Sequence, residues 1–136
     1  MILADTGPLV AAIDSGDAAH EVVIGFLMHN REPIAVPSIV IPEVGYFLGK
    51  RLPAQIEAAF LRQIGTGDML LLDATVADYL RAADLVEHYD SLPLGTVDAL
   101  VIAIAERLDV TTVMTLDRRH FGVVRPAHCK TFDIVP

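Results

Sequence analysis

Short, uninterrupted apolar runs alternate along the chain with longer segments whose apolar residues recur every three or four positions. The short runs end in turn-forming residues, which predicts β-strands, and the longer segments predict helices. Because the strand runs are continuously apolar, we expect them to be buried on both faces, as in a parallel sheet covered by helices on both sides. The predicted strands span residues 1–4, 33–36, 69–72 and 111–116, with a short edge strand at 132–135.

One predicted helix is apolar on every side. Residues 99–105 carry no polar side chain, so we expect this helix to be buried nearly all round. Thr96 is its predicted N-cap, which places Asp98 in the first turn, where free N–H groups and the helix dipole favour an anion. A carboxylate at the edge of a core needs a partner, yet no Lys or Arg lies within the four residues before it. We therefore expect a metal ion to neutralise Asp98.

Three further acids are predicted to lie on the same edge of the sheet as Asp98. Asp5 and Asp117 follow the first and fourth strands, and Glu43 begins a helix after the second strand. The carboxyl ends of parallel strands meet at one edge, where α/β proteins bind their ligands. Two carboxylates about 4 Å apart repel by about 4 kcal/mol at an effective dielectric of 20, so such a cluster needs protons, bases or cations.

This acid set predicts a magnesium or manganese site. Both ions accept oxygen ligands, whereas zinc favours the His and Cys ligands that the set lacks. A metal held there could activate water for hydrolysis of a phosphodiester. Thr6 and Thr115 could add hydroxyl contacts, and Arg118 is a candidate phosphate contact.

Each acid taken alone also has an ordinary structural explanation. Glu43 could serve only as a dipole partner, Asp5 could form a turn, and Asp117 could pair with Arg118 or Arg119. The same two arginines and His120 are predicted to lie beside the acids, where they contact phosphate or form surface salt bridges. The remaining acids, Asp78 among them, are assigned to helix caps and solvated faces.

Composition narrows the class of protein. The length of 136 residues fits one domain, residues 1–136, with a substantial hydrophobic core. The net charge of −8 argues against a protein that wraps nucleic acid by bulk charge, but not against an enzyme that holds it locally. The single cysteine, the absence of a secretory pattern and the absence of a long apolar segment predict a cytoplasmic protein that does not enter a membrane.

The sequence resembles a PIN-domain ribonuclease of the VapC toxin type, the toxin of type II VapBC toxin–antitoxin systems. The resemblance covers nearly the whole chain and is carried by residues 2–7, 94–99 and 115–121, with the spacing of the four acids. It implies a three-layer α/β/α sandwich and a Mg²⁺- or Mn²⁺-dependent endoribonuclease acting on RNA. It further implies metal binding by Asp5 and Asp98, a catalytic pocket completed by Glu43 and Asp117, a cognate antitoxin and a homodimer.

Other functions are compatible with parts of this pattern. PIN domains also include nucleases of RNA maturation and non-catalytic binding modules. A phosphatase with an aspartyl nucleophile would need a second Asp two residues after Asp5, where this chain has Gly7. A receiver domain would need a lysine after a late strand, and the only lysines are Lys50 and Lys130. The sequence therefore disfavours both the phosphatase and the receiver domain.

Overall fold

The computed structural model describes residues 1–67 and 69–136. Within these ranges, one five-stranded sheet has the order β3-β2-β1-β4-β5, and every neighbouring pair is parallel. The α/β class and the parallel sheet predicted from the apolar runs are confirmed. The strands are β1 Ile2–Ala4, β2 Ile34–Pro37, β3 Leu70–Leu72, β4 Thr112–Met114 and β5 Asp133–Val135.

The helices connect these strands and cover the sheet. Helix α1 packs against α2 and α3, α3 packs against α4, and α5 packs against α6. A short 3₁₀ turn at Ser38–Val40 precedes α3. The helices are α1 Thr6–Ile13, α2 His20–His29, α3 Ile41–Arg51, α4 Ala54–Gly65, α5 Val76–His88, α6 Thr96–Leu108 and α7 Arg118–Val123. None of the helices in the described residues is both long enough and apolar enough to cross a membrane.

Strand β1 lies at the centre of the sheet, and its carboxyl end lies at the edge where the acids are predicted. Its three residues point alternately to the two faces and all are buried, so both faces of the sheet are covered here. The N–H of Asp5 donates to the carbonyl of Met114 at 2.9 Å. This bond holds the carboxyl ends of β1 and β4 side by side.

The prediction that every strand is buried on both faces is wrong for β3. Leu70 and Leu71 point to opposite faces, yet they are 49% and 40% exposed. The reason is that β3 forms one edge of the sheet. An apolar run predicts that a segment forms a strand, but it does not show whether that strand lies at the centre or at an edge of the sheet. The run therefore could not reveal this exposure.

Helix α6 is the buried helix predicted from the sequence. All seven residues from Ala99 to Ala105 are buried, and Asp98 lies in the first turn, as predicted. The predicted N-cap is wrong by one residue, since Gly95 is the cap and Thr96 is already helical, with no side-chain capping bond.

Two ion pairs join α5 to α6. Arg107 Nε lies 2.9 Å from Asp78 Oδ2, and Arg81 Nε lies 2.7 Å from Glu106 Oε2. Asp78 also forms a capping box with Thr75. Its assignment to a cap is therefore correct, but its side chain is only 3% exposed and does not lie on a solvated face.

Replacing Arg107 by Ala is expected to lower the free energy of unfolding by about 2–3 kcal/mol, because Asp78 would be left as a buried charge without its partner. Urea unfolding monitored by circular dichroism measures this loss. The exposed Arg62→Ala variant is the matched control and should stay within about 0.5 kcal/mol of the wild type. Equal stability of the two variants would contradict a stabilising role for the Arg107–Asp78 pair.

Candidate active site

Asp5, Glu43, Asp98 and Asp117 line one cavity of about 640 Å³. Asp5 follows β1 and caps α1, and Asp117 follows β4 and caps α7. Glu43 and Asp98 lie in the first turns of α3 and α6. The four acids that the sequence assigned to one sheet edge are thus brought together by strand ends and helix starts.

Asp5 is held rigidly by two hydrogen bonds. Its Oδ1 accepts from the backbone N–H of Thr6 at 2.7 Å, and its Oδ2 accepts from the hydroxyl of Thr115 at 2.8 Å. The Thr115 oxygen in turn accepts from the N–H of Asp117 at 3.0 Å, which orients the hydroxyl towards Asp5. The Thr6 hydroxyl donates to Glu43 Oε2. Both predicted threonines therefore contact the acids directly.

His120 is the partner of Asp117. The two Asp117 oxygens accept from the backbone N–H of His120 at 2.9 Å and from its Nδ1 at 2.6 Å, while His120 Nε2 donates to the carbonyl of Leu92 at 3.0 Å. Because both neighbours are acceptors, this arrangement favours the imidazolium, in which both ring nitrogens carry a proton. His120 Nδ1 also lies 3.6 Å from Asp98 Oδ2. Sequence reasoning placed His120 beside the acids without pairing it, although its three-residue spacing from Asp117 is a pairing signal.

The electrostatics of the cavity reflect an excess of negative charge. Burial, followed by the charge of Asp5, raises the pKa of Asp98 to about 6. Burial also raises the pKa of Asp5, although the hydrogen bonds from Thr115 and Thr6 oppose it. At Asp117 burial acts in the same direction, but the bonds and the charge of His120 outweigh it and lower the pKa below its ordinary value. The bond to Asp117, against the effect of burial, raises the pKa of His120.

The donor set fits a hard divalent cation. Ligand atoms of Asp98, Asp117 and His120 lie within 4.8 Å of one another. The predicted acid set disfavoured zinc because it lacked a histidine. That reason is wrong, because a histidine does lie among the acids. Since both His120 nitrogens donate hydrogen bonds, the atoms left for a metal are carboxylate oxygens, the ligands of Mg²⁺ and Mn²⁺.

Arginine side chains also line the cavity. Arg118 and Arg119 line it, as expected, and Arg118 Nη2 donates to the Pro136 oxygen at 2.5 Å. Arg51 and Phe47 also line it. Sequence reasoning put Phe47 on one face with Glu43 and Lys50 but did not single out Arg51, although Glu43, Phe47 and Arg51 follow one another at four-residue intervals. Lys50 does not line the cavity and lies over the ring of Tyr46.

Replacing Asp98 by Asn is expected to stabilise the metal-free protein at alkaline pH. Because the folded pKa of about 6 lies above the ordinary aspartate value of 3.8, the contribution of Asp98 to stability is fully present below pH 3.8 and is lost as the pH rises through 6. The loss is at most about 3 kcal/mol, since one pKa unit corresponds to about 1.4 kcal/mol.

Urea unfolding of chelator-treated protein between pH 4 and 8 measures this effect. The difference in unfolding free energy between Asp98→Asn and wild type should grow with pH, whereas the exposed Asp84→Asn variant should show no such growth. A difference that is independent of pH would contradict a strained Asp98 carboxylate.

Comparison with known proteins agrees with this geometry. The chain matches the PIN domain family over residues 2–125. It is 30% identical over 135 residues to Ribonuclease VapC26 of Mycobacterium tuberculosis, an alignment that covers 99% of this chain and 100% of that protein.

Solved structures confirm the fold. VapC20 of M. tuberculosis, described as a sarcin–ricin loop cleaving toxin, aligns with a TM-score of 0.81 at 17% identity over 87% of this chain and 91% of that one. A toxin–antitoxin complex from Klebsiella pneumoniae aligns with a TM-score of 0.70 at 18% identity over 100% of this chain and 97% of that one. With a family match along most of its length and a full-length relative at 30% identity, the chain belongs to the PIN domain family and is a ribonuclease homologue of the VapC type.

Proposed function

We propose that this protein is a Mg²⁺- or Mn²⁺-dependent endoribonuclease that acts as the toxin of a type II toxin–antitoxin system, with Asp5 and Asp98 as metal ligands. The observation that carries the proposal is the convergence of four carboxylates in one cavity. The raised pKa of Asp98, at about 6, supports it, because this carboxylate lacks sufficient positive charge from the chain itself. Neutral pH and a bound cation would together keep it ionised.

The residues around the cation have distinct tasks. A bound Mg²⁺ supplies positive charge at the scissile phosphodiester and makes a neighbouring water molecule more acidic. Asp5 is held in place by Thr6 and Thr115, so its oxygens keep a fixed position. Asp117 is oriented by His120 in the same way.

Glu43 is suited to orienting a water molecule or an RNA hydroxyl. Its Oε2 accepts from Thr6, while its Oε1 has no hydrogen-bond partner within residues 1–67 and 69–136. An acceptor with a free oxygen at the cavity wall can take a proton or align a donor. Arg119 and Arg118, which also line the cavity, are suited to contact the RNA backbone, and such local contacts would let an acidic protein hold a polyanion.

Two protein partners complete the proposal. The first is a cognate antitoxin, supported by the structural likeness to a toxin–antitoxin complex. The second is another copy of the chain. Its docking surface is the apolar face of helix α5, where Val76, Tyr79 and Leu80 are 80%, 53% and 67% exposed. Their spacing of three and four residues puts these side chains on one face of the helix, and apolar side chains grouped on an exposed face mark interaction sites.

Metal-dependent RNA cleavage tests the catalytic proposal. Purified protein is incubated with a mixed structured RNA pool in Mg²⁺, in Mn²⁺ and in chelator. Cleavage should require metal, and Asp5→Asn and Asp98→Asn should each lower the rate by at least about 100-fold. Thr115→Val should lower it by about tenfold or more, because it removes only a bond that positions Asp5.

The exposed Glu87→Gln variant is the matched control and should cleave at the wild-type rate. Calorimetric titration with Mg²⁺ should show weakened binding in the two aspartate variants. Wild-type cleavage by Asp5→Asn, or unchanged Mg²⁺ affinity in both variants, would contradict the assignment of the metal ligands.

Leu80→Glu should convert a dimer into a monomer, because it places a charge in the apolar face of α5. Light scattering coupled to gel filtration measures the mass. Val22→Glu, on the 60% exposed Val22 of α2, is the matched control and should remain dimeric. A monomeric wild type, or a dimer in both variants, would overturn this interface.

A further inference from the structure

Helix α3 extends the wall of the cavity outward from the acids. Glu43, Phe47 and Arg51 all line the cavity, and their four-residue spacing puts them on one face of the helix. Successive members lie about 6 Å apart along the helix axis, given a rise of about 1.5 Å per residue. Helix α3 therefore carries an acid, an aromatic ring and a guanidinium in one row, which begins at the acid cluster and runs away from it.

Arg51 is oriented by carboxylates from the segment between α1 and α2. Its Nη1 lies 2.8 Å from Asp17 Oδ2 and 3.6 Å from Asp14 Oδ2. These acids are themselves held, because Asp17 Oδ1 accepts from the N–H of Ala19 and Asp14 Oδ1 accepts from the N–H of Gly16, each at 2.9 Å. Arg51 thus has a fixed guanidinium whose charge is already compensated by two neighbouring anions.

The other edge of the Arg51 guanidinium remains available. No atom in the described part of the chain accepts a hydrogen bond from Nε or Nη2. These two nitrogens form the fork with which arginine binds two adjacent acceptors. Since the two carboxylates offset its charge, this fork favours a neutral group with two acceptors over a phosphate.

Phe47 supplies a flat apolar surface beneath the Arg51 guanidinium. The guanidinium carbon lies over the Phe47 ring, 5.4 Å from its centre, so a base bound to the fork in the guanidinium plane would lie on the same side of the ring. The ring packs partly against the core and makes an edge contact with Tyr46, with 5.4 Å between ring centres and 74° between planes. A flat neutral ring with two acceptors on one edge would satisfy both Phe47 and Arg51.

We propose that Phe47 and Arg51 form a guanine subsite that selects a base close to the bond to be cleaved. The base packs against Phe47, and its O6 and N7 accept hydrogen bonds from Nε and Nη2 of Arg51. Adenine presents a donor in place of O6, and pyrimidines lack the paired acceptors on this edge. The base must be unpaired and unstacked to reach a protein wall in this way, so the substrate is a single-stranded or looped RNA. This proposal rests on RNA being the substrate.

Binding of short RNAs tests the subsite independently of cleavage. Fluorescein-labelled uridine hexamers carry one guanine, 7-deazaguanine or adenine, and anisotropy measures their affinity in Mg²⁺ for the Asp98→Asn protein, which should leave them intact. Guanine should bind about tenfold more tightly than either other purine. Adding Arg51→Lys should abolish this preference, because lysine keeps the charge but lacks the fork. Adding Phe47→Leu should weaken the binding of all three RNAs by about tenfold, because it removes the stacking surface while keeping apolar volume.

Matched substitutions on other surfaces control for charge and for aromatic content. Arg31→Lys, at an exposed position, and Phe26→Leu, at a partly buried aromatic that does not line the cavity, should change neither affinity nor base preference. Thermal unfolding of every variant checks that Phe47→Leu remains folded. Equal affinity for the three purines, or a guanine preference that survives Arg51→Lys, would overturn the proposal and leave this wall of the cavity to a protein partner.

The two proposals fail in different ways. If the wild type cleaves RNA but the Asp98→Asn protein binds all three hexamers equally, the subsite is wrong and the ribonuclease proposal stands. If the wild type cleaves no RNA but the Asp98→Asn protein prefers guanine through Arg51, the subsite stands and the catalytic proposal is wrong.

Discussion

Mutual repulsion among four carboxylates is the constraint around which this structure is arranged. Asp5, Glu43, Asp98 and Asp117 share one cavity, and close carboxylates in a partly buried site repel by several kcal/mol. The chain offsets part of this repulsion with hydroxyl donors, backbone N–H groups and one imidazolium. Burial first, and the remaining repulsion as a smaller cause, raise the pKa values of Asp5 and Asp98. A site that stays short of positive charge after folding is suited to binding a cation.

The scaffold keeps these acids close despite their repulsion. Strands β1 and β4 are bonded side by side up to their carboxyl ends, so Asp5 and the segment carrying Asp117 cannot separate. Helix α6 is buried from Ala99 to Ala105 and fixes Asp98 at the cavity. Its ion pairs with α5 add a second attachment on the outer side. The stability of the core is what allows an unfavourable cluster of charges to persist at one edge.

The distribution of cations explains how a protein with a net charge of −8 can act on RNA. His120 lies among the acids, and Arg51, Arg118 and Arg119 line the cavity. These groups differ in their surroundings. Arg51 is paired with two carboxylates, whereas Arg119 forms no ion pair among the residues that the structure describes. Compensated and uncompensated arginines suit different parts of a nucleotide, the base and the phosphate respectively.

The sequence by itself determined the α/β class, the parallel sheet, the buried helix α6 and the convergence of four acids on one edge. Each of these follows from local periodicity or from the order of strands and helices, which neighbouring residues encode. Tertiary structure alone decided the exposure of β3, the pairing of Asp78 with Arg107, and the bond from Thr115 to Asp5 across 110 positions of sequence. It also placed Arg51 rather than Lys50 at the cavity. Such contacts depend on the rotation of each helix about its axis and on the place of each strand in the sheet. Packing of the whole chain sets both quantities, and no short stretch of sequence contains them.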